Sequence, residues 1–220
     1  MTMSIPVLTI DGPSGAGKGT VSRAVSKILG WHYLDSGSIY RSLAVAVLDA
    51  GLDLNDVAKI CAVAEAMSLE FECGDELVVR LNGGDISGRL ATETTGNAAS
   101  IIAAYPEVRA VLLQKQKDFQ RLPGLIADGR DMGSVVFPEA KYKVYLTASA
   151  EERALRRYKQ LIEKGIDANL PQITREIEER DRRDSQRASA PLTVPEGAHY
   201  IDSSSLSIQQ VIDQVVNLVE

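Results

Sequence analysis

The residues best suited to chemistry lie in a glycine-rich stretch near the start of the sequence, GPSGAGKGT at positions 12–20. In such a loop, successive backbone N–H groups surround a phosphate, and the lysine reaches the β- and γ-phosphates of a bound nucleoside triphosphate. A glycine-rich turn with a surface lysine is the alternative interpretation. It is the weaker one, because an apolar, β-prone run (positions 7–10) precedes the stretch and a helical pattern follows it. The stretch therefore predicts phosphoryl transfer.

The loop departs from the common pattern at one position. Gly19 stands where most such loops have a serine or threonine whose hydroxyl binds magnesium, and Thr20 comes one place later. This shift argues against direct ligation of a metal by Thr20. The GKGT variant is the one found in nucleoside monophosphate kinases. The positions predicted to hold the triphosphate are Gly12, Gly15, Ala16, Gly17, Lys18, Gly19 and Thr20.

A second polar cluster, positions 128–131, directly follows another apolar run at 125–127. Ligands of open α/β sheets bind at the carboxyl ends of strands, and P-loop proteins keep an acidic group there for magnesium. Asp128 fits that position, and it fits a turn-forming aspartate equally well. Arg130 and Asp131 belong to the same loop, so the sequence predicts that they face a substrate.

Eight of the 15 arginines fall between Arg153 and Arg187, in a chain whose net charge is −6. Arginine binds phosphate through two parallel hydrogen bonds, which lysine cannot do. Arg180, Asp184 and Arg187 recur at the spacing of one helix face. That face suits either a solvated, salt-bridged surface or a site for a phosphate and a sugar hydroxyl. Three arginines of the preceding helix are candidates for contacting the transferred phosphoryl group: Arg153, Arg156 and Arg157.

Alternating strand and helix patterns surround these residues and predict a parallel α/β sheet. Strands are expected at 7–10, 31–34, 125–127, 142–146 and 199–202. Helices are expected at 18–29, 36–48, 106–119, 150–164, 170–186 and 207–219. Ser36 is the predicted cap of the second helix. Positions 62–95 differ in character, because runs at 69–73 and 77–81 flank Gly-Asp-Glu and predict a β-hairpin insert.

Composition excludes several classes of protein. The acidic net charge argues against non-specific nucleic-acid binding and against a basic membrane surface. Cys61 and Cys73 are the only cysteines, with no CxxC pair, so we expect a reducing compartment and no structural zinc. No apolar run reaches the roughly 20 residues of a membrane span, and the first ten residues carry no leader pattern. We expect a cytoplasmic monomer without nucleic-acid or membrane partners.

The whole chain closely resembles the bacterial-type cytidylate kinases. The segments that carry the likeness are, in chain order, IDGPSGAGKGT, LDSGSIYR, NAAS, PEVRAVL, GLIADGRDMGSVVFP and EERDRRDSQR. The phosphate loop alone indicates only a superfamily, whereas DSG-x-x-YR, IADGRDMG and RD-x-x-R in this order are far more specific. The hairpin insert resembles the extension that eukaryotic UMP/CMP kinases lack.

The resemblance implies a single P-loop NTPase domain of the α/β class, with a central parallel β-sheet flanked by helices. The core would comprise about 1–35, 101–150 and 188–220. A region that binds the nucleoside monophosphate, with a small antiparallel sheet, would span about 36–100. An arginine-rich helical lid with its flanking helices would span about 151–187.

The resemblance also implies roles for particular residues. The catalytic residues would be Lys18, Arg130, Arg157 and Arg187. The acceptor CMP would be bound by Ser36, Tyr40, Arg41, Ser100, Arg109, Gly129, Arg130, Asp131, Arg180, Asp184 and Arg187. The residues that would face the cytosine are Ser100, Arg109 and Asp131. Arg157, the favoured lid arginine, would also bind ATP.

The implied reaction moves the γ-phosphoryl group of ATP to CMP or dCMP by direct in-line displacement, giving CDP or dCDP. Mg²⁺ would be held by the ATP phosphates and water, with Thr20 and Asp128 as candidate protein ligands. One rival interpretation is a small P-loop kinase with a hydroxyl acceptor, of the shikimate or gluconate type. The other is a non-enzymatic nucleotide switch, and the absence of an NKxD motif counts against a GTPase of that kind.

Overall fold

The computed structural model describes residues 5–73, 77–163 and 165–219. The chain divides into a core unit, Met1–Tyr33 with Gln120–Glu220, and a middle unit, Leu34–Phe119. The strands are β1 (Val7–Asp11), β2 (His32–Asp35), β3 (Leu69–Cys73), β4 (Leu77–Leu81), β5 (Gly84–Asp85), β6 (Leu125–Gly129), β7 (Tyr142–Thr147) and β8 (His199–Asp202). The helices are α1 (Lys18–Leu29), α2 (Ser36–Asp49), α3 (Val57–Ala66), α4 (Ser87–Leu90), α5 (Glu93–Ile102), α6 (Pro106–Lys117), α7 (Ala150–Glu163), α8 (Leu170–Gln186) and α9 (Ile208–Val219).

The main sheet has the strand order β2-β6-β1-β7-β8, with β1 parallel to both of its neighbours and β7 parallel to β8. All five residues of β1, VLTID, are buried, as expected of a central parallel strand that is covered on both faces. The predicted α/β class with a central parallel sheet is confirmed. Because β1 and β6 are adjacent and parallel, the glycine-rich loop and positions 128–131 emerge at the same edge.

Amphipathic helices pack against this sheet. In α1, Val21 and Val25 are one turn apart and fully buried, and α1 contacts β1 and β6. A left-handed glycine lies at each end of α1, Gly17 before it and Gly30 after it. α7 and α8 pack against each other through an apolar cluster that includes Ala154. None of the helices in the described ranges is both long and apolar enough to cross a membrane.

The middle unit contains an antiparallel sheet in the order β3-β4-β5. The predicted β-hairpin strands at 69–73 and 77–81 are confirmed, while the predicted turn at 74–76 lies outside the described residues. Val79, Ile86 and Leu90 form an apolar cluster with Val45 of α2. This cluster fastens the small sheet and α4 onto α2.

Local prediction fails at several points. Ser36 is not the cap of α2, because the Asp35 carboxylate accepts the N–H of Ser38 at 3.0 Å and its hydroxyl at 2.6 Å. The Ser36 hydroxyl instead donates to the side-chain oxygen of Gln116 at 2.7 Å. The short helices α3, α4 and α5 and a π-helical turn, Met132–Val136, have no clear sequence signal. Position 164, the predicted end of one helix, lies outside the described residues.

Candidate active site

The glycine-rich loop connects β1 to α1, and its path depends on glycine at two crowded points. Gly12 has φ +149°, and a Cβ there would lie 1.9 Å from the carbonyl oxygen of Leu146 on β7. Gly15 has φ +79°, and a Cβ there would lie 3.1 Å from the Cβ of Arg153 on α7. Any side chain at Gly12 would push the loop away from the sheet. Glycine therefore lets the loop amides curl tightly enough to surround an anion.

The loop ends at the amino terminus of α1, where no described side chain caps the first-turn N–H groups. These donors and the helix dipole favour an anion at this point. The Nζ of Lys18 donates to the carbonyl oxygen of Pro13 at 2.9 Å and lies 3.9 Å from Oδ1 of Asp128. Both charged side chains are buried. Loop amides, an ammonium group and a carboxylate thus meet at one edge of the sheet.

Asp128, the penultimate residue of β6, is the side chain best placed to serve a magnesium ion. The hydroxyl of Tyr33 donates to its Oδ2 at 3.4 Å. A Cβ on Gly19 would lie 3.5 Å from the same oxygen, so Asp128 faces the position where most P-loops place a hydroxyl. Thr20 is exposed. Within the described ranges, no group of three or more His, Cys, Asp or Glu side chains could hold a metal by itself.

Two arginines of α7 bind the outer side of the loop. Buried Arg153 donates to the carbonyl oxygen of Ser14 at 3.0 Å and forms a bidentate pair with Asp181 of α8 at 3.1 and 2.5 Å. Arg156 lies 3.5 Å from the carbonyl oxygen of Ala16. The C=O and N–H of a trans peptide point in opposite directions. Holding the carbonyls on this side therefore turns the following N–H groups toward the opposite side of the loop.

Ser203, which directly follows β8, completes this support. Its carbonyl and hydroxyl oxygens accept hydrogen bonds from Arg156 at 2.7 and 3.1 Å, and its hydroxyl donates to Thr147 at 2.9 Å. Arg153 and Arg156 therefore shape the loop through contacts with the protein itself. Arg157, one residue further along α7, is partly buried, and its contact with ATP stays a prediction.

An ion pair between Arg130 and Asp184 brings the loop after β6 onto α8. The Arg130 Nε lies 2.8 Å from Asp184 Oδ2, and the two side chains are 17% and 9% exposed. Burial opposes ionisation of Asp184, but the charges of Arg130, Arg180 and Arg187 outweigh it and hold the pKa of Asp184 below its usual value. The structure thus gathers four predicted acceptor ligands in the core unit. We call them the Asp184 cluster: Arg130, Arg180, Asp184 and Arg187.

The loop at 128–131 continues into the π-helical turn, a conformation that is rare and often found at functional sites. Asp131, immediately before the turn, is buried. The two carboxylate oxygens of Asp11 accept the N–H groups of Met132 and Gly133, each at 2.7 Å. Burial raises the pKa of Asp11 to about 7 despite these two hydrogen bonds. This turn is therefore tied to the last residue of β1.

In the middle unit, predicted acceptor ligands contact one another across α2 and α6. The hydroxyl of Ser36 donates to the side-chain oxygen of Gln116 at 2.7 Å, and both residues are buried. The guanidinium of Arg109 lies 5.5 Å from the ring centre of Tyr40 and donates to the carbonyl oxygen of Ala103 at 3.2 Å. A cation over an aromatic face is attracted by the ring, so Arg109 is held in a fixed orientation.

Two more predicted ligands are Arg41 of α2, which lies against α4 and α5, and Ser100, which belongs to α5. Arg41 donates to the carbonyl oxygen of Leu90, and a Cβ on Gly96 would lie 3.1 Å from its Nη2. The hydroxyl oxygen of Ser100 is buried and has no hydrogen-bond partner among the described residues. An unsatisfied buried hydroxyl costs free energy. Ser100 therefore marks a place where a polar ligand atom would be stabilised.

Several important residues are missing from the sequence-based prediction: Asp11, Gln116, Asp181 and Ser203. Each acts through a contact between distant parts of the chain, so no local spacing reveals it. Asp11 alone leaves a trace, as a lone carboxylate between a buried strand and the glycine-rich loop. A buried aspartate is unusual enough to suggest a defined partner.

At the carboxyl edge of the parallel sheet, the structure places an amide-lined loop, a buried lysine and the amino terminus of a helix. This combination defines the protein as a P-loop phosphotransferase. The cytidylate kinase family model matches residues 8–220. A cytidylate kinase of Methylococcus capsulatus is 56% identical over 220 residues, 100% of this chain and 99% of that protein. One from Aeromonas salmonicida is 52% identical over 221 residues, 100% and 96% of the two chains. The chain belongs to the cytidylate kinase family, as its motifs predict.

Among solved structures, a shikimate kinase from Acinetobacter baumannii aligns with a TM-score of 0.44 and 18% identity, over 98% of this chain and 93% of that one. That similarity is too low to bear on the choice of acceptor.

Proposed function

We propose that this protein transfers the γ-phosphoryl group of ATP to CMP and dCMP. The observation that carries the proposal is the Asp184 cluster, in which Asp184 lies 2.8 Å from Arg130 and is also near the charges of Arg180 and Arg187. Guanidinium groups bind a phosphate, and a carboxylate accepts hydrogen bonds from sugar hydroxyls. A nucleoside monophosphate offers both groups, whereas shikimate and gluconate carry no phosphate. Full-length similarity to cytidylate kinases supports the same acceptor.

The proposed reaction needs no general base, because the acceptor phosphate is already an anion at neutral pH. One of its oxygens attacks the γ-phosphorus in line, and ADP leaves with the electron pair of the broken P–O bond. The chain's part is to position the two phosphates and to offset their charge. The residues proposed for the second task are Lys18, Arg130, Arg157 and Arg187.

The surroundings of Lys18 fit a magnesium ion bound together with ATP. Mg²⁺ at nucleotide sites takes one or two carboxylates, phosphate oxygens and water, and Asp128 supplies the carboxylate 3.9 Å from Lys18. The exposed hydroxyl of Thr20 is a further oxygen donor on the first turn of α1. When bound, the ion would neutralise charge on the ATP phosphates. We propose Asp128 as the protein partner of the ion, and we assign Thr20 no direct bond to it because Thr20 lies one place past the usual hydroxyl position.

Recognition of cytosine is proposed for Ser100, Arg109 and Asp131. Ser100 offers a buried hydroxyl without a partner among the described residues. Arg109 is already oriented by Tyr40, so little side-chain entropy is lost when it binds a ligand. Aspartate accepts a hydrogen bond from the cytosine N4 amino group. This set therefore favours a base with an exocyclic amino group over uracil or thymine.

A coupled assay of ADP release tests the function with CMP, dCMP, UMP, dTMP, AMP, shikimate and gluconate as acceptors. We expect the fastest release with CMP and dCMP and no stimulation by the two hydroxyl acceptors. Faster turnover with shikimate or gluconate would replace the proposal by a hydroxyl-acceptor kinase. If no acceptor accelerates ADP release, the proposal is wrong and the nucleotide switch becomes the favoured interpretation.

A further inference from the structure

Asp11 is a fully buried carboxylate whose two oxygens are both occupied by backbone donors of a distant turn. It is the last residue of β1 and is 0% exposed. The N–H of Met132 donates to Oδ1 and the N–H of Gly133 donates to Oδ2, both at 2.7 Å and more than 120 residues along the chain. These are short, charge-assisted hydrogen bonds. A neutral asparagine could accept only one of the two.

The turn that Asp11 holds begins directly after the predicted acceptor loop. Arg130 and Asp131 immediately precede the two donors, and Arg130 pairs with Asp184. The packing there is tight, since a Cβ on Gly133 would lie 2.7 Å from Thr9 Oγ1 and 3.2 Å from Asp11 Oδ2. The turn cannot shift toward β1 or rotate without losing one of the two hydrogen bonds. Asp11 thus fixes where Arg130 and Asp131 leave the sheet.

A carboxylate is a costly choice for this position. Burial raises the pKa of Asp11, and nearby Asp131 raises it further. Lys18 acts in the opposite direction, and the hydroxyl of Tyr145 on β7 also interacts electrostatically with Asp11. An apolar residue at the end of β1 would avoid the penalty of burying a charge. The cost is understandable if the two hydrogen bonds serve the geometry of the site.

We propose that Asp11 is a positioning residue for the acceptor: it clamps the turn at 132–133 so that Arg130 and Asp131 are presented to the nucleoside monophosphate. Asp11 does not touch the substrate and acts through the backbone of this turn. The proposal rests on the proposed function, since it assigns Arg130 and Asp131 to the acceptor. It predicts that a substitution of Asp11 weakens the binding of CMP more than the binding of ATP.

The test compares Asp11→Asn with a matched control, Thr9→Val. Thr9 is buried two residues earlier on the same face of β1, and its hydroxyl has no hydrogen-bond partner among the described residues. Steady-state assays with CMP and ATP give both KM values, and calorimetry gives CMP binding without ATP. For Asp11→Asn we expect the KM and Kd of CMP to rise roughly tenfold, with the KM of ATP changed less than about twofold. Thr9→Val should match the wild type.

A purely structural role gives a different result. Asp11→Asn would then lower the active fraction, and therefore the apparent kcat, while both KM values stayed at wild-type level, which overturns the proposal. If Asp11→Asn does not fold, Gly133→Ala decides, because the added methyl would crowd Thr9 Oγ1 and Asp11 Oδ2 and so displace the same turn. A selective rise in the KM of CMP supports the proposal, and equal changes for both substrates overturn it. A wild-type enzyme inactive with CMP overturns the proposed function and this inference together, whereas unchanged KM values overturn only the inference.

Discussion

The glycine-rich loop and the Asp184 cluster prepare for phosphate in opposite ways. The loop uses backbone N–H groups within one continuous stretch, positions 12–20, in which only Pro13 lacks an N–H, and one lysine. The cluster uses side chains, with Arg130 and Asp184 separated by 54 positions in the chain. The loop gains its charge complementarity from peptide dipoles that never titrate. The cluster gains it from ionised groups that must remain paired in a buried place.

This difference decides how each region responds to change. A backbone site fails when the chain can no longer follow its path, as at Gly12 beneath Leu146. A side-chain site fails when one charge is removed, because the charges that remain are buried without their counterpart. The first kind of failure is geometric and the second is electrostatic.

The largest effect should come from the one side chain on which the loop depends. We expect Lys18→Ala to lower kcat on the order of 10³-fold, because the positive charge that offsets the charge of the transferred phosphoryl group is lost. Its fold should persist, as α1 keeps its glycine ends and apolar face. Lys27→Ala, at the exposed far end of α1, is the control and should be as active as wild type. Near-normal turnover of Lys18→Ala would show that the loop amides alone suffice for catalysis, and the loop would then depend on no side chain.

A neutral residue in the Asp184 cluster should cost somewhat less activity but more stability. Asp184→Asn leaves Arg130 buried beside an amide, so we expect the KM of CMP to rise on the order of 10²-fold and the melting temperature to fall. Glu178→Gln, an exposed position on the same helix, is the matched control. Steady-state kinetics and thermal melting read out the two effects. An unchanged KM would remove the cluster from acceptor binding.

A third substitution tests whether α7 helps to set the conformation of the loop at 12–20. Arg153→Met removes the hydrogen bond to the Ser14 carbonyl and leaves Asp181 unpaired. We expect the KM of ATP to rise about tenfold, with a smaller change for CMP. Arg175→Met, at an exposed site on α8, controls for loss of positive charge. Equal effects on both substrates would mean that Arg153 supports the fold in general.

The smallest effect is a pH dependence of stability at Asp11, which joins the strand before the loop to the turn after β6. The pKa of Asp11 rises from 3.8 to about 7 on folding, so the folded protein keeps this proton at pH values where the unfolded chain has lost it. The stabilising contribution is therefore complete below about pH 4 and is lost as the pH rises through about 7. Urea unfolding of wild type and Asp11→Asn should show the wild type losing stability relative to the variant across this range. A constant difference would contradict the shift.

The same contrast explains what could be predicted from sequence. The loop, α1 and the parallel strands follow from local spacing, since amides 12–20 and the face of Val21 and Val25 depend on neighbouring residues. The pairing of Arg130 with Asp184 could not be derived from helix periodicity, which shows that Asp184 shares a face with Arg180 and Arg187 but not what lies opposite. Family resemblance supplied those residues as ligands. It did not supply their mutual contacts.

Residues that work through distant backbone groups were the hardest to foresee. The sequence makes Arg153 and Arg156 candidates for contacting the transferred phosphoryl group. In the structure, their guanidinium groups bind carbonyl oxygens of the loop. A guanidinium satisfies a carbonyl oxygen as well as a phosphate oxygen, so composition cannot distinguish the two uses. Similarly, Asp35 displaced Ser36 as the cap of α2, because both residue types favour that position.

The contact of Ser203 with Arg156 has a consequence for synthesis of the protein. Translation proceeds from the amino terminus and early segments fold first, but the support for the loop at 12–20 includes a serine made almost two hundred residues later. A nascent chain that lacks this serine has β1 and α1 while Arg156 has no Ser203 oxygens to bind. Tight binding of nucleotide should therefore develop late in biogenesis, after most of the chain has left the ribosome.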